Sequence, residues 1–220
     1  MDSNRGGAPA GSEHFCPACG KIQPLPRGTD YFAFFGLPQT LRLDAEDLER
    51  RFHKLSWRLH PDNFVRASEY ERELSLERGS QLNDAYRTLR EPISRVEYML
   101  GQAGMRKEGA AKQQAPPELL EEVFELNMSL EGLREARAWG GSNIAELREP
   151  LVEAEKTFTQ KLAEVDAALD SLFAEWDLAV DRRAAEPERQ TLMNRMNEIL
   201  NRRSYIRNLV ASVQKELAEA

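Results

Sequence analysis

Apolar residues along most of the chain recur every three or four positions, the spacing that places side chains on one face of an α-helix. The first such stretch can be capped by Asp44 and is expected to run to His60. Its apolar face consists of Leu48, Phe52, Leu55 and Leu59. A second stretch begins at Ser68, which has the form of a capping box with Glu71. Its stripe consists of Leu82, Ala85, Tyr86 and Leu89. With a short apolar turn before them and a shorter helix after them, these stretches predict a unit of four helices.

Three longer stretches follow, each with one apolar seam. The first seam consists of Leu119, Val123, Leu126, Leu130 and Leu133. The second consists of Phe158, Leu162, Val165, Leu169, Leu172 and Trp176, and the third of Leu192, Met196, Ile199, Ile206, Val210, Val213 and Leu217. Helices that bury such seams against one another form an antiparallel bundle. The sequence therefore predicts an all-α fold that ends in a three-helix bundle.

Glycine, proline and small polar residues divide the chain into regions. They dominate residues 1–29, which we expect to be a flexible arm, and residues 106–116, which we expect to be a linker. The four-helix unit occupies residues 30–105, and the bundle occupies residues 117–220. Two helical domains are therefore expected.

Charge and hydropathy argue against two classes of partner, nucleic acids and membranes. The net charge is −7, with 30% charged residues of both signs. An acidic surface repels backbone phosphates, so we expect no nucleic-acid partner. No apolar run approaches the roughly 20 residues that cross a bilayer, and residues 1–15 lack the apolar core of a secretion signal. We expect a cytoplasmic protein with no membrane partner, and leave open whether an organellar targeting segment was removed.

The triplet His60-Pro61-Asp62 follows the first long helix. It can be a plain helix stop, because histidine suits the last turn, proline ends a helix and aspartate favours a turn. Its context favours a functional role, since it joins two long helices and follows a basic surface. That surface consists of Arg50, Arg51, Lys54 and Arg58. No nucleophile or third catalytic partner is evident, so we expect the loop to bind and not to react.

Four segments in order carry a resemblance: DYFAFFGL at 30–37, the basic helix, LHPDNF at 59–64 and LNDAYRTL at 82–89. Together they resemble the J-domain, which stimulates ATP hydrolysis by DnaK-type chaperones. With the EPISRVEYML helix and the terminal bundle, the chain is similar to the HscB family, J-domain co-chaperones of iron–sulfur cluster assembly. The resemblance implies an ATPase activator that is not itself an enzyme and requires no cofactor. It also implies that a DnaK/HscA-type partner binds the triplet and the basic surface, with Asp62 engaging a basic group of the partner.

The first bundle helix has more apolar residues than one seam needs. Leu120, Phe124 and Met128 recur every four positions beside the seam, bordered by Glu121 and Glu125. One interpretation is a helix that is buried more widely. The other comes from the resemblance, in which this helix binds the scaffold protein for iron–sulfur clusters, with Tyr205 as the aromatic residue from the last helix. Met128 and Glu121 depart from the family's usual pattern.

The segment FCPACGK has the form of a metal knuckle, in which Cys16 and Cys19 supply two thiolates to zinc. Zinc usually takes four ligands. Relatives in eukaryotes carry two such pairs, whereas this chain has one pair and His14 as a candidate third ligand. A half-site completed by another chain, a vestigial pair and a redox pair are the alternatives.

Two rival functions are a general J-protein for unfolded clients and a thiol oxidoreductase that uses Cys16 and Cys19. The first usually has a Gly/Phe-rich linker and a peptide-binding β-domain, which this sequence lacks. The second usually has a strand-helix-strand framework around the thiols. A homodimer formed through the bundle seam is also left open.

Overall fold

A computed structural model describes residues 14–106, 116–139 and 143–219. Within these ranges every regular element is a helix, which confirms the predicted all-α fold; Phe15 and Ile22 add an isolated antiparallel bridge. The helices are α1 (Tyr31–Phe35), α2 (Ala45–Leu59), α3 (Glu69–Arg90), α4 (Pro92–Gln102), α5 (Leu120–Trp139), α6 (Ile144–Asp181) and α7 (Glu186–Glu219). Short 3-10 helices cover Pro61–Phe64 and Pro117–Leu119. None of the helices in this part of the chain is long and apolar enough to cross a membrane.

The helices of the first half begin at polar caps. The Asp44 carboxylate accepts hydrogen bonds from the amides of Glu46, at 2.9 Å, and Asp47, at 3.2 Å, so α2 begins where the sequence predicted. The predicted capping box between Ser68 and Glu71 starts α3. These caps fix where α2 and α3 begin, and the cap at Ser68 also ends the segment between the two helices.

The first compact unit has its core between α1, α2 and α3. The apolar residues predicted for α2 and α3 contribute to it, and Phe52 and Tyr86 stack with ring centroids 4.2 Å apart. The three phenylalanines of α1 fill its centre: Phe32, Phe34 and Phe35. The predicted helical unit is therefore built on the apolar face that the sequence showed.

Residues 14–29 are not the free arm that the sequence suggested. Phe15 and Ile22 are buried in the core of the first unit, and the His14 ring makes a 2.9 Å hydrogen bond with the carbonyl of Phe34. Apolar residues in a segment rich in proline and glycine explain the difference, since burial of the Phe15 and Ile22 side chains outweighs the flexibility of the backbone. Residues 1–13 lie outside the described residues, as does nearly all of the predicted linker 106–116.

The first unit also includes Trp176–Ala184, which the sequence assigned to the bundle. The Trp176 indole donates to the carbonyl of Gln39 at 2.7 Å. The Asp177 carboxylate accepts from the amides of Leu41, at 2.6 Å, and Arg42, at 2.9 Å. These bonds satisfy backbone groups of the loop that precedes α2, so the C-terminal part of α6 belongs to the first unit.

The second unit is the predicted three-helix bundle. Its core holds seam residues of α5, α6 and α7, among them Leu133, Phe158 and Ile206. Pairs across the helices fix their directions. Glu122 of α5 meets Lys161 of α6 at 3.0 Å, and Asp166 and Glu155 of α6 meet Arg203 and Gln214 of α7. The order of the two pairs between α6 and α7 makes these two helices antiparallel.

Candidate partner-binding surfaces

The His60-Pro61-Asp62 triplet forms the sharp bend between α2 and α3. His60 is the C-cap of α2 and also the N-cap of the 3-10 helix Pro61–Phe64. The proline is the first residue of that 3-10 helix. Proline suits this position because it fixes φ and has no amide hydrogen to leave unpaired. The bend therefore combines the helix stop that the sequence indicated with a defined conformation of its own.

Local hydrogen bonds hold this loop. The Asn63 amide donates to the His60 carbonyl at 2.9 Å, and the Asn63 side chain donates to the Trp57 carbonyl at 2.6 Å. The Asp62 amide donates to Nδ1 of His60 at 3.3 Å. Phe64 is buried in the core of the first unit, so the loop is anchored at its far end. The backbone is fixed while the side chains of the triplet face outward.

His60 and Asp62 present their side chains to solvent. The exposed fractions are 56% and 85%, and the distance between His60 Nδ1 and an Asp62 carboxylate oxygen is 3.5 Å. An exposed carboxylate on a rigid bend suits recognition of a cationic group on another protein.

Ser75 braces the loop from α3, a role that the sequence reasoning missed. Its hydroxyl donates to the carbonyl of Leu59, the last residue of α2, at 2.7 Å, and Ser75 is fully buried. Helix ends leave carbonyls without intrahelical partners, and this bond satisfies one of them. The sequence did contain a signal for this role. Ser75, Arg78 and Leu82 follow one another at intervals of three and four, so the two polar residues lie on the apolar face of α3.

The predicted basic surface is not uniform. Arg50 and Arg51 both bind Asp47, at 2.8 and 2.7 Å, and Arg51 also donates to the carbonyl of Phe35 at 3.1 Å. The hydrogen bond from Arg51 is the largest cause that lowers the pKa of the Asp47 carboxyl. Arg50 and Lys54 are exposed, whereas Arg51 is half-buried. Arg51 therefore supports the fold, while Arg50 and Lys54 are presented to solvent.

Arg58, the fourth cation, lies in the last turn of α2. Its guanidinium is 4.0 Å from the centroid of the Phe15 ring. This cation–π contact holds Arg58 beside the loop. The segment before α1 thus contributes to the surface around the triplet.

The outer stripe of α5, made of Leu120, Phe124 and Met128, is exposed. The exposed fractions are 55%, 67% and 58%, while Val123 and Leu126 of the same helix are buried. Wider burial of this helix, the alternative that the sequence left open, does not occur at these positions. Contiguous exposed apolar side chains on one helix are typical of a protein-binding site.

The borders of the outer stripe are acidic and aromatic. Glu121 and Glu125 are both exposed. Tyr205 of α7 is partly buried against the bundle core. The salt bridge between Arg202 and Glu118, at 3.3 Å, brings the Tyr205 region of α7 to the start of α5. The predicted scaffold-binding residues therefore lie at one end of the bundle.

Cys16 and Cys19 lie in the tight turn of a small hairpin, with an antiparallel bridge from Phe15 to Ile22. Both cysteines are free thiols. Hydrogen bonds from the backbone amides of Cys19 and Ala18 lower the pKa of the Cys16 thiol, and the Cys19 thiol adds a smaller contribution. The turn therefore favours a thiolate at Cys16.

A four-ligand zinc site does not fit the residues present. His14, the candidate third ligand, is buried with Nε2 bonded to the Phe34 carbonyl. Among residues 14–106, 116–139 and 143–219, no three histidine, cysteine or acidic side chains are grouped to hold a metal ion. The chain has only two cysteines in all. Two thiols at one turn supply half of a tetrahedral site.

Comparison with known proteins finds similar sequences and a similar structure that carry the same name. The co-chaperone protein HscB homolog of Vibrio vulnificus is 37% identical over 153 residues, which cover 70% of this chain and 86% of that protein. The homolog of Vibrio parahaemolyticus is 38% identical over 154 residues, with the same coverage. The crystal structure of human co-chaperone protein HscB matches with a TM-score of 0.59 at 23% identity, covering 98% of this chain and 91% of that one. No protein-family model matches the chain.

The two bacterial relatives align with 70% of the length of this chain. The human structure, at its low identity, supports the fold alone. The two bacterial relatives are similar enough, over enough of their length, to show the family. On this basis the chain belongs to the HscB co-chaperone family.

Proposed function

We propose that this co-chaperone binds a DnaK/HscA-type chaperone through the loop His60–Phe64 and stimulates its ATP hydrolysis. The observation that carries the proposal is the exposed, rigidly held Asp62 carboxylate at the bend between α2 and α3. A fixed bend costs little conformational entropy on binding, so the carboxylate can engage a cationic group of the partner with little reorganisation.

Charge supports the same partner. Arg50 and Lys54 are exposed on α2, which leads to the loop, and Arg58 is held next to it. An acidic protein with a local basic surface can steer toward an acidic patch of its partner without attracting nucleic acid over its whole surface. In this arrangement α2 sets the orientation of the encounter, and Asp62 makes the contact that favours the hydrolysing state of the chaperone.

The test is ATP turnover by a DnaK/HscA-type chaperone with the wild-type protein and with Asp62→Asn. The variant keeps the size of the side chain and removes its charge, so stimulation should fall by about tenfold or more, equivalent to about 1.4 kcal/mol. Glu73→Gln, an exposed residue of α3, removes the same charge elsewhere in the unit and should leave stimulation unchanged. Equal stimulation by Asp62→Asn would exclude this role.

The second part of the proposed function is delivery of an iron–sulfur cluster scaffold protein. The support is the outer stripe of α5, where exposed apolar side chains lie between acidic residues. Such a surface fits a partner that offers an apolar patch with basic neighbours. The co-chaperone would then bring the scaffold and the ATPase chaperone together as an adaptor.

Calorimetry with a cluster scaffold protein tests this part. Phe124→Ala should weaken binding by about 2 kcal/mol, roughly thirtyfold in Kd. Val152→Ala, which shortens another exposed apolar side chain of the bundle, is the matched control and should leave Kd unchanged. Equal affinity of the Phe124 variant and the wild type would remove the outer stripe from the scaffold site.

A further inference from the structure

The thiol pair Cys16 and Cys19 has no part in the proposed function. The turn that carries it is closed by a hydrogen bond of 2.8 Å from the Gly20 amide to the Cys16 carbonyl. Residues three apart in a tight turn lie within roughly 7 Å of each other, which is the range that a disulfide bridges. The antiparallel bridge between Phe15 and Ile22 holds the two ends of this turn together.

The environment of Cys16 favours nucleophilic chemistry. The amides of Cys19 and Ala18 donate to its sulfur and lower the pKa of the thiol. They provide the stabilisation that a helix N-terminus gives the reactive thiol in strand-helix-strand redox proteins. Cys16 is partly exposed and Cys19 is exposed, so a small disulfide can reach both. Among the described residues, no third histidine, cysteine or acidic side chain is grouped with the two sulfurs to hold a metal ion, whereas a disulfide needs only the two sulfurs.

The hairpin lies beside the loop that carries the triplet. Phe15, the residue before Cys16, packs its ring under the guanidinium of Arg58, two residues before His60. On the other side of the loop, the charge of Lys21 contributes to lowering the pKa of Glu71 in the first turn of α3. A change of covalent state in the turn therefore occurs one residue from a contact with α2.

We propose that Cys16 and Cys19 form a reversible dithiol–disulfide site whose oxidation weakens the contact between Phe15 and Arg58. The Cys16 thiolate attacks one sulfur of a low-molecular-weight disulfide such as glutathione disulfide, forms a mixed disulfide and releases one thiolate. The Cys19 thiolate then attacks the Cys16 sulfur and releases the second. The two cysteine thiols are oxidised to one disulfide, the oxidant is reduced to two thiols, and the two cysteine protons end on the released molecules.

Closing a disulfide changes the geometry of the turn. The bond sets the separation of the two Cβ atoms and the dihedral angle between them, so a turn that is free to relax becomes covalently constrained. Phe15 is the next residue along the chain, and its ring is the surface on which the Arg58 guanidinium rests. Loss of that contact loosens the last turn of α2, which is the turn that leads into the loop.

The first experiment follows the thiols of the full chain in glutathione redox buffers, with alkylation and intact-mass measurement. The wild type should lose both alkylation sites together without retaining a glutathione adduct, and dithiothreitol should restore them. Cys19→Ser should retain a mixed disulfide at Cys16, because no second thiol is present to resolve it. Two thiols that stay reduced, a stable adduct on the wild type, or thiols protected by stoichiometric zinc after its addition would each overturn the site.

The second experiment measures amide hydrogen exchange in the last turn of α2. Oxidation of the wild type should speed exchange there by about twofold or more. Phe15→Leu keeps an apolar side chain but removes the ring under Arg58, so its exchange should no longer respond to oxidation. Exchange that is the same in the reduced and oxidised wild type would refute the coupling to α2.

An effect on the chaperone partner rests on the proposed function and is measured separately. The reduced protein should stimulate ATP hydrolysis more than the oxidised protein, while Cys19→Ser should be unaffected by prior exposure to glutathione disulfide followed by brief reduction. Reversible oxidation in a protein that never stimulates the chaperone would contradict the proposed function alone. Stimulation by a protein whose thiols never pair would contradict this inference alone.

Discussion

The loop His60–Phe64 and the outer stripe of α5 are both exposed, but the protein builds them differently. The loop takes a conformation that depends on contacts with α2 and α3, including the bond from Ser75 to the last carbonyl of α2. The outer stripe is a regular helix face whose apolar residues need only the helix beneath them. Substitutions around the loop should therefore affect binding through geometry, whereas those on the stripe should affect binding through the lost side chain alone.

The largest expected effect separates the two faces of α5. Leu126→Ala removes a buried seam residue, so it should lower the free energy of unfolding by about 2–5 kcal/mol. Phe124→Ala removes a larger side chain that is mostly exposed, and it should change the free energy of unfolding by less than about 0.5 kcal/mol. Chemical denaturation of both variants measures the difference. Similar losses would show that the outer stripe is a second buried face.

The second expected effect tests the brace of the loop. Ser75→Ala leaves the buried Leu59 carbonyl without its partner, so it should cost about 1–3 kcal/mol of unfolding free energy and should also reduce stimulation of the chaperone. Ser80→Ala makes the same change at an exposed position of α3 and should do neither. Full stimulation by the Ser75 variant would show that the loop holds its conformation without the brace.

The third expected effect distinguishes two neighbouring cations of α2. Arg51 binds both Asp47 and the Phe35 carbonyl and is half-buried, so Arg51→Ala should cost about 1 kcal/mol of stability. Arg50 binds Asp47 from an exposed position, so Arg50→Ala should cost less than about 0.5 kcal/mol. Thermal unfolding compares the two. The Arg50 variant should instead weaken association with the chaperone more strongly at low salt than at high salt.

The smallest expected effect concerns acid stability of the bundle. Glu216 is buried between α5 and α7, and the hydrogen bond from Arg134 is the largest cause that lowers the pKa of its carboxyl, with charges of Arg137 and Lys215 adding to it. A folded-state pKa below the unfolded value of 4.5 gives stability that is present above that value and is lost as the pH falls through the folded pKa.

Unfolding midpoints measured between pH 7 and pH 3 should therefore fall less steeply with acid for Glu216→Gln than for the wild type. The amide keeps a hydrogen-bond acceptor for Arg134 but cannot titrate. Glu149→Gln, at an exposed position of α6, should leave the steepness unchanged. If the unfolding midpoint fell equally steeply with acid in the Glu216 variant and in the wild type, the stabilising role of the Glu216 carboxylate would be contradicted.

Short-range features of the fold could be predicted from the sequence. The cap at Asp44 and the capping box at Ser68 involve residues two or three apart, and the seams follow from helical spacing alone. Contacts between distant residues could not be predicted. Asp177 accepts from the amide of Leu41 across 136 residues, and nothing in either local pattern indicates the other.

The candidate surfaces show the same division. The sequence identified the triplet and the outer stripe, because one depends on three adjacent residues and the other on spacing along one helix. It did not identify Ser75 as a brace or the burial of Phe15, since each depends on a partner more than 15 residues away. The basic surface was predicted as four equivalent cations, but Asp47 and Phe35 make Arg51 structural.

ATP turnover of a DnaK/HscA-type chaperone, measured with and without the scaffold protein, tests most directly whether this co-chaperone is an adaptor with two separate surfaces. Phe124→Ala should stimulate as well as the wild type when the scaffold is absent and should lose the further stimulation that the scaffold adds. Asp62→Asn should stimulate in neither condition. Loss of scaffold-free stimulation in the Phe124 variant, or unchanged stimulation by the Asp62 variant, would contradict the account.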